Sequence, residues 1–298
     1  MKMNKLNNSE NIGEDDFRIL GQPEKKRINK KKVIVALLTI IATLFSVALI
    51  TLLLHTMLQP KPPVVKYLKP LGKQDLSIGD SYTEKLDTVI QGLTLTLYIP
   101  HNAIPTLTMG SPDTTNVTEE AVLAFRAADL GTDLTTLIGL FVCDGVIYQS
   151  NKDSSSKLGF CAIIDGDITI GTAESTSLFE KAIERKGCFF RQHSLVANDT
   201  VTANVEKHTK ETLRRALCHR GNQIFVAVCP KVSMYNLAQA LVVLDIDNAI
   251  YLPGGGLTSF NGWWRDVNDN IEFFRNSEKY TRNKLENYIV WKKVEVDN

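Results

Sequence analysis

NAIYLPGGGLTSFNGWW, residues 248–264, holds a short Ile- and Tyr-containing run that ends in Pro253 and three consecutive glycines, Gly254, Gly255 and Gly256. Glycine takes positive φ without steric cost and lets a ligand or a second backbone approach, so such a loop leaving a strand marks a candidate binding lip. Just upstream, residues 233–244 (SMYNLAQALVVL) set Leu237, Ala240, Leu241 and Leu244 at helical spacing behind Ser233, a favoured N-cap type. Helix, tight link, strand and glycine loop follow in order. A strand placed there requires partners, and they should come from the residues before it.

Working outward, residues 213–218 and 223–229 read as two strands around His219, Arg220, Gly221 and Asn222. Asp144-Gly145 and Asp165-Gly166 each sit between apolar runs, the strongest short-range hairpin signal. Residues 92–99 alternate with period two and predict a half-buried strand, which Pro100 should end. Residues 118–130 (TEEAVLAFRAADL), with a Thr N-cap, two glutamates in the first turn and Gly131 beyond, predict a helix. Residues 177–186 predict another, with Ser177 and Glu180 at capping-box spacing and Gly187 as terminator. A strand over 188–196 and a last one over 287–292 complete the pattern. Many hairpin-linked strands with few helices predict one α+β domain of mixed or antiparallel sheets.

The N-terminal part is of another kind. Residues 24–32 (EKKRINKKK) directly precede residues 33–54, which carry no charge. About 20 apolar residues span the ~30 Å hydrocarbon core of a bilayer, so a transmembrane helix is predicted. A cleaved signal peptide has a shorter apolar region and a small-residue cleavage site, neither of which is present. Lysines and Arg27 crowd the N-terminal flank whereas residues 55–63 hold only Lys61, which predicts a cytosolic N-terminus and an extracytoplasmic remainder. The expected organisation is a disordered basic tail over 1–32, a transmembrane helix over 33–58, a Pro-rich linker over 59–72 and a folded domain over 73–298.

The 34 basic and 33 acidic residues give a net charge of +1 and no case for nucleic acid. Cys143, Cys161, Cys188, Cys218 and Cys229 include no C-x-x-C pair, so neither a zinc knuckle nor a thioredoxin-type centre is indicated. An oxidising compartment permits disulfides there, but spacing does not name them. No metal or cofactor is expected.

The glycines fit neither G-x-G-x-x-G nor the P-loop pattern, and no lysine follows them. Their successive N–H groups, with the hydroxyls of Thr258 and Ser259, form a candidate anion-binding nest; the alternative is a turn that only avoids a clash. Arg214, Arg215 and Arg220 flank a strand that lies near this loop if the sheet runs in sequence order, and a guanidinium fork suits phosphate or carboxylate. The histidines show no H-x-x-x-H pair, and there is no G-x-S-x-G. Asp144, Asp165, Asp245, Asp247, Asp266 and Asp269 are candidates for the two carboxylates of glycoside cleavage, or plain turn residues. Trp263 and Trp264 are candidates for sugar stacking or for core packing.

Arg214-Arg215-Ala216-Leu217, the strand 224–228, the Leu-Ala helix 236–241 and the run 248–256 together resemble the C-terminal half of the phosphodiester glycosidase domain, the family of the uncovering enzyme. The resemblance covers 213–264 and extends loosely to the 159–171 hairpin and to 121–145. It implies that Arg215 and Gly254, Gly255 and Gly256 contact a sugar phosphate, with Ser259 nearby; joined to the predicted anchor, the expectation is a membrane-anchored extracytoplasmic protein acting on such a sugar in the cell envelope. Two positions depart from it. Pro253 stands where the family's loop carries an acidic residue, and a proline neither ionises nor donates. Arg126-Ala127-Ala128-Asp129 stands where the family has an Asn-Gly or Asn-Ala strand end, a match that would make 121–125 a strand despite its helical propensity. The rival function is a catalytically degenerate glycan-binding or structural module of the same fold.

Overall fold

The computed structural model describes residues 30–58, 80–110, 115–131, 135–148, 157–206, 209–254, 262–274 and 285–294. The tail before Lys30, the linker, and Gly255, Gly256, Thr258 and Ser259 lie outside the described residues. The chain divides into two units, Met1–Lys61 and Pro62–Asn298.

The first unit contains α1 (Lys30–Leu58). Its stretch Ile34–Thr51 is long and apolar enough to cross a membrane and is nowhere buried. The few polar side chains here turn back on the helix: the hydroxyls of Thr39, Thr43, Ser46 and Thr51 donate to carbonyls three or four residues earlier. Each is satisfied without a partner outside the helix, as an apolar surrounding demands.

The second unit is α+β. In chain order it runs β1 (Tyr82–Ile90), β2 (Leu93–His101), β3 (Ala103–Met109), α2 (Thr115–Glu120), β4 (Ala121–Arg126), β5 (Phe141–Cys143), β6 (Val146–Tyr148), β7 (Gly159–Ile164) and β8 (Asp167–Thr172). It continues with α3 (Leu178–Glu184), β9 (Cys188–Gln192), β10 (Ser194–Ala197), β11 (Thr200–Val201), β12 (Thr212–Arg220), β13 (Gln223–Val232), α4 (Met234–Val243), β14 (Asn248–Leu252), β15 (Gly262–Arg265), β16 (Ile271–Phe273) and β17 (Asn287–Lys293). Among the described residues three sheets form, in the orders β1-β2-β13-β12-β14-β10-β11, β16-β15-β4-β17-β3 and β6-β5-β9-β7-β8. Every pairing among the described strands is antiparallel.

One central core is built by all three sheets, with Leu217, Ile250 and Leu252 from the first, Phe125, Ile289 and Trp291 from the second, and Phe141, Cys161 and Phe190 from the third. The outer face of the seven-stranded sheet packs on Leu237, Ala240 and Leu241 of α4, as the helical spacing predicts. Ser233 caps that helix, accepting from the Asn236 N–H at 3.1 Å.

Both Asp-Gly hairpins form, with Asp144-Gly145 and Asp165-Gly166 at positive φ as a type I′ turn needs. Four expectations are corrected. Residues 118–130 are not one helix: α2 stops at Glu120 and β4 begins at Ala121. Every residue of β4 is buried, between β15 and β17, so an apolar run with good helical propensity is taken by ladder pairing on both sides. The buried Arg265 guanidinium fixes the switch by donating to the carbonyls of Thr118 and Ala121. Second, β2 runs through Pro100, whose pairing is with Thr83 on β1, beyond the last register contact of β2 with β13, so its missing N–H costs no ladder bond there. Third, Ser177 makes no side-chain cap to α3. Fourth, the strand over 188–196 is broken at His193 into β9 and β10.

Candidate functional site

Alternation along β12 sorts the three arginines. Arg215 and Leu217 face the central core, while Ala216 and Cys218 face α4. Arg215 lies opposite Leu252 of β14, at the point where the glycine loop leaves the sheet. Its guanidinium lies 5.6 Å from the Phe125 ring centre and 6.0 Å from that of Phe274, and it donates to the Pro253 carbonyl at 3.3 Å. It also fills the space over Gly254: a Cβ there would stand 1.4 Å from Arg215 Nη1, and Gly254 has φ +154°. Only glycine admits this contact, so of the predicted site residues Arg215 and Gly254 are brought together. Arg220 lies at the far end of the strand, where the charges of Asp245 and Asp247 act on it.

Arg215 is only 3% exposed. Burial lowers its pKa to about 10, against the pull of the Tyr251 and Tyr98 phenols and with Arg126 adding to the drop. At neutral pH it therefore still carries its charge. Tyr98, packed edge-on against Phe125 and Phe274, is pushed up to about 12 by burial and by Glu272 and Asp87, so it is a neutral donor.

Arg214 points to the other side of the sheet. It lies 5.7 Å from the Tyr251 ring centre and hydrogen-bonds that phenol. Burial and the charge of Asp129 raise the Tyr251 pKa. Asp129, just beyond β4, accepts from Lys157 Nζ at 2.6 Å and from Gln192 Nε2 at 3.1 Å. Burial alone would raise this carboxyl, but Lys157, the Gln192 hydrogen bond and His193 outweigh it and hold it below the ordinary carboxylate range. The segment is pinned: Asn287 accepts from the Ala128 N–H at 2.6 Å, and Gln192 donates to the Ala127 carbonyl at 3.2 Å. His193, at the break between β9 and β10, has its ring 6.4 Å from that of Tyr251.

Arg126, Arg215, Tyr251, His193, Asp129 and Lys157 thus form a run of electrostatic neighbours beside the strand end that carries Gly254. The sequence reading missed Asp129, Lys157, His193 and Tyr251 as a group. Their one sequence signal is the strand end at residues 126–129. The other acidic candidates have turn roles: Asp144, Asp165, Asp245 and Asp269 occupy positive-φ positions. Asp247 accepts from the Gly221 N–H and Asp266 from those of Asn268 and Asn270. Trp263 is core; Trp264 is partly buried beneath Lys85.

A family model, phosphodiester glycosidase, matches residues 119–291, more than half the chain and the whole of this strand-end cluster. The chain belongs to the phosphodiester glycosidase family. Among solved structures, the chain is similar to the zebrafish N-acetylglucosamine-1-phosphodiester alpha-N-acetylglucosaminidase catalytic domain, auto-inhibited by pro-peptide. The two are 12% identical with a TM-score of 0.49, over 75% of this chain and 86% of that one. It is also similar to a hypothetical protein from Synechocystis, at 10% identity and a TM-score of 0.45, over 73% of this chain and 64% of that one. No curated protein matches it.

Proposed function

We propose that this member of the family is held in the membrane by α1, with its second unit extracytoplasmic, and that it cleaves a sugar linked through phosphate. The observation that carries the reading is the seating of the Arg215 guanidinium on Gly254 at the mouth of the glycine loop. A buried, charged fork seated on the Gly254 backbone suits a phosphate diester, whose charge it would meet without reorganisation. The substrate contacts are Arg215, Gly254, Gly255, Gly256, Thr258 and Ser259. His193 is the residue placed to move a proton, and the ionised Asp129 carboxylate bears on it. The uncharged residues 33–54 within α1 and the basic cluster 24–32 before them support an anchor with a cytosolic N-terminus.

The test is release of free sugar from a glycosyl phosphodiester by the full chain in detergent, beside Arg215→Met and His193→Gln. Turnover by the parent chain, reduced about 10²-fold or more in both variants, is expected. Absence of turnover by the parent chain overturns the enzymatic reading.

A second reading is favoured by Pro253 and by the packing over Arg215, where Phe125 and Phe274 stack at 4.7 Å. Those features suit a module that binds an envelope glycan without cleaving it. Saturable binding of the same diester with no sugar released would select this reading.

A further inference from the structure

Cys143 closes β5 and Cys188 opens β9. The register that pairs Phe141 with Phe190 and Val142 with Phe189 sets the two cysteines opposite one another. Both are buried on the core face of their sheet. Asp144, first residue of the turn that follows, holds a carboxylate oxygen 3.9 Å from the Cys143 sulfur. The two sulfurs and that carboxylate lie within 4.8 Å of one another.

Buried cysteines ordinarily serve as small apolar residues. That role accounts for Cys161 and Cys218, fully enclosed in their cores. It does not account for two facing thiols beside a carboxylate, where one thiol and the carboxylate line a cavity. A cavity of about 370 Å³ opens on Cys143 and Asp144, with Thr108, Met109, Tyr148 and Lys292 among its lining. Lys292 is 3.5 Å from Glu120, so its charge is partly answered.

We propose that Cys143, Asp144 and Cys188 bind one thiophilic divalent cation, with the fourth coordination position open to this cavity. Zinc–sulfur bonds of ~2.3 Å and zinc–oxygen bonds of ~2.0–2.2 Å put tetrahedral ligand atoms about 3.5–3.8 Å apart. The present spacing reaches that by a small closing of side chains. Two sulfurs with one oxygen select zinc or cadmium over magnesium or calcium, and loading releases the thiol protons. Three protein ligands and an open position accept a water or a small solute, unlike a closed four-ligand structural site.

The experiment titrates the full chain in detergent, reduced and freed of reductant, with Cd²⁺. A sulfur-to-cadmium charge-transfer band saturating at one equivalent is expected. Cys143→Ser and Cys188→Ser lose the band, Cys161→Ser keeps it, and Asp144→Asn keeps it with affinity weakened about tenfold. Thermal unfolding of the unaltered chain, which needs no variant to fold, should move upward when Zn²⁺ is added. No band in the parent chain, a band that survives Cys143→Ser, no thermal shift with Zn²⁺, or a Cys143–Cys188 disulfide in protein isolated without reductant each overturns the proposal.

Discussion

Arg214 and Arg215 are neighbours in the chain and occupy opposite surroundings. Arg215 faces inward, against two phenylalanine rings and the glycine at the loop mouth, and is almost wholly buried. Arg214 faces the other way, half-buried, donating to the Lys210 carbonyl at 3.0 Å and to the Tyr251 phenol. A strand turns successive side chains to opposite faces, so one dipeptide supplies a dry cation and a wet one. The dry one is held in a single place by packing, where little water screens its charge. The wet one is screened and belongs to a wider polar network with Asp129 and His193.

The sharpest way to break this contrast is to remove each charge while keeping side-chain bulk. Arg215→Met should leave stability unchanged or raise it, because burying a guanidinium is costly and methionine fills the same space. Diester turnover should nonetheless fall about 10²–10³-fold. Arg214→Met should cost less in turnover. If the two variants lose equal activity, or if Arg215→Met keeps it, the dry site is not where phosphate is held. Next in size is Gly254→Ala, whose Cβ would meet Arg215 Nη1 at 1.4 Å in a backbone conformation that side chains rarely adopt. Denaturant unfolding should show a loss of about 2–3 kcal/mol, larger than for any single change at Arg214.

The same contrast marks what the amino-acid sequence makes legible. Local chemistry reads directly: Asp144-Gly145 and Asp165-Gly166 form their turns, and Ser233 caps its helix, because each signal is complete within a few residues. Residues 121–126 do not read directly, since helical propensity is local whereas the ladders on both sides come from β15 and β17, far along the chain. β1 and β3 were missed for a related reason. Both are edge strands, β1 half-polar and β3 alternating in its burial but carrying Pro105, a residue that argues against a strand. The closeness of Arg215 and Gly254 reads from the sequence because one lies on β12 and the other ends its neighbour β14. That of Asp129, Lys157 and Gln192 does not, because separations of 28 and 63 residues are closed only by the folded sheets.

On the wet side, Asp129 tests whether the network is held by charge. Its side chain is 29% exposed and that of Lys157 only 5%, so Asp129→Asn leaves a buried ammonium facing a weaker acceptor. The cost should be about 1–2 kcal/mol, below that of breaking a fully buried pair because water screens the carboxylate. The pH dependence has a definite sign. The folded-state pKa of Asp129 is depressed, so its contribution is present above the unfolded value of about 3.9 and is lost as pH falls through the folded value. Acid unfolding of the parent chain should show that loss and Asp129→Asn should not; identical acid profiles would mean that Lys157 is satisfied without the carboxylate.

The smallest expected effect joins the two sides. Tyr251 sits on the wet face, hydrogen-bonded by Arg214, yet its phenol also acts on the buried Arg215. Tyr251→Phe keeps the ring and its packing against α4 and removes only the hydroxyl. Stability should fall by about 0.5–1.5 kcal/mol, the usual net worth of one hydrogen bond. The informative reading is a double-mutant cycle with Arg214→Met. If the phenol is a bridge between the faces, the losses from the two changes will not add, because each removes the same Arg214–Tyr251 bond. Additive losses would instead mean that the hydroxyl works mainly toward Arg215, and the division of this edge into a dry and a wet half would have to be redrawn with Tyr251 on the dry side.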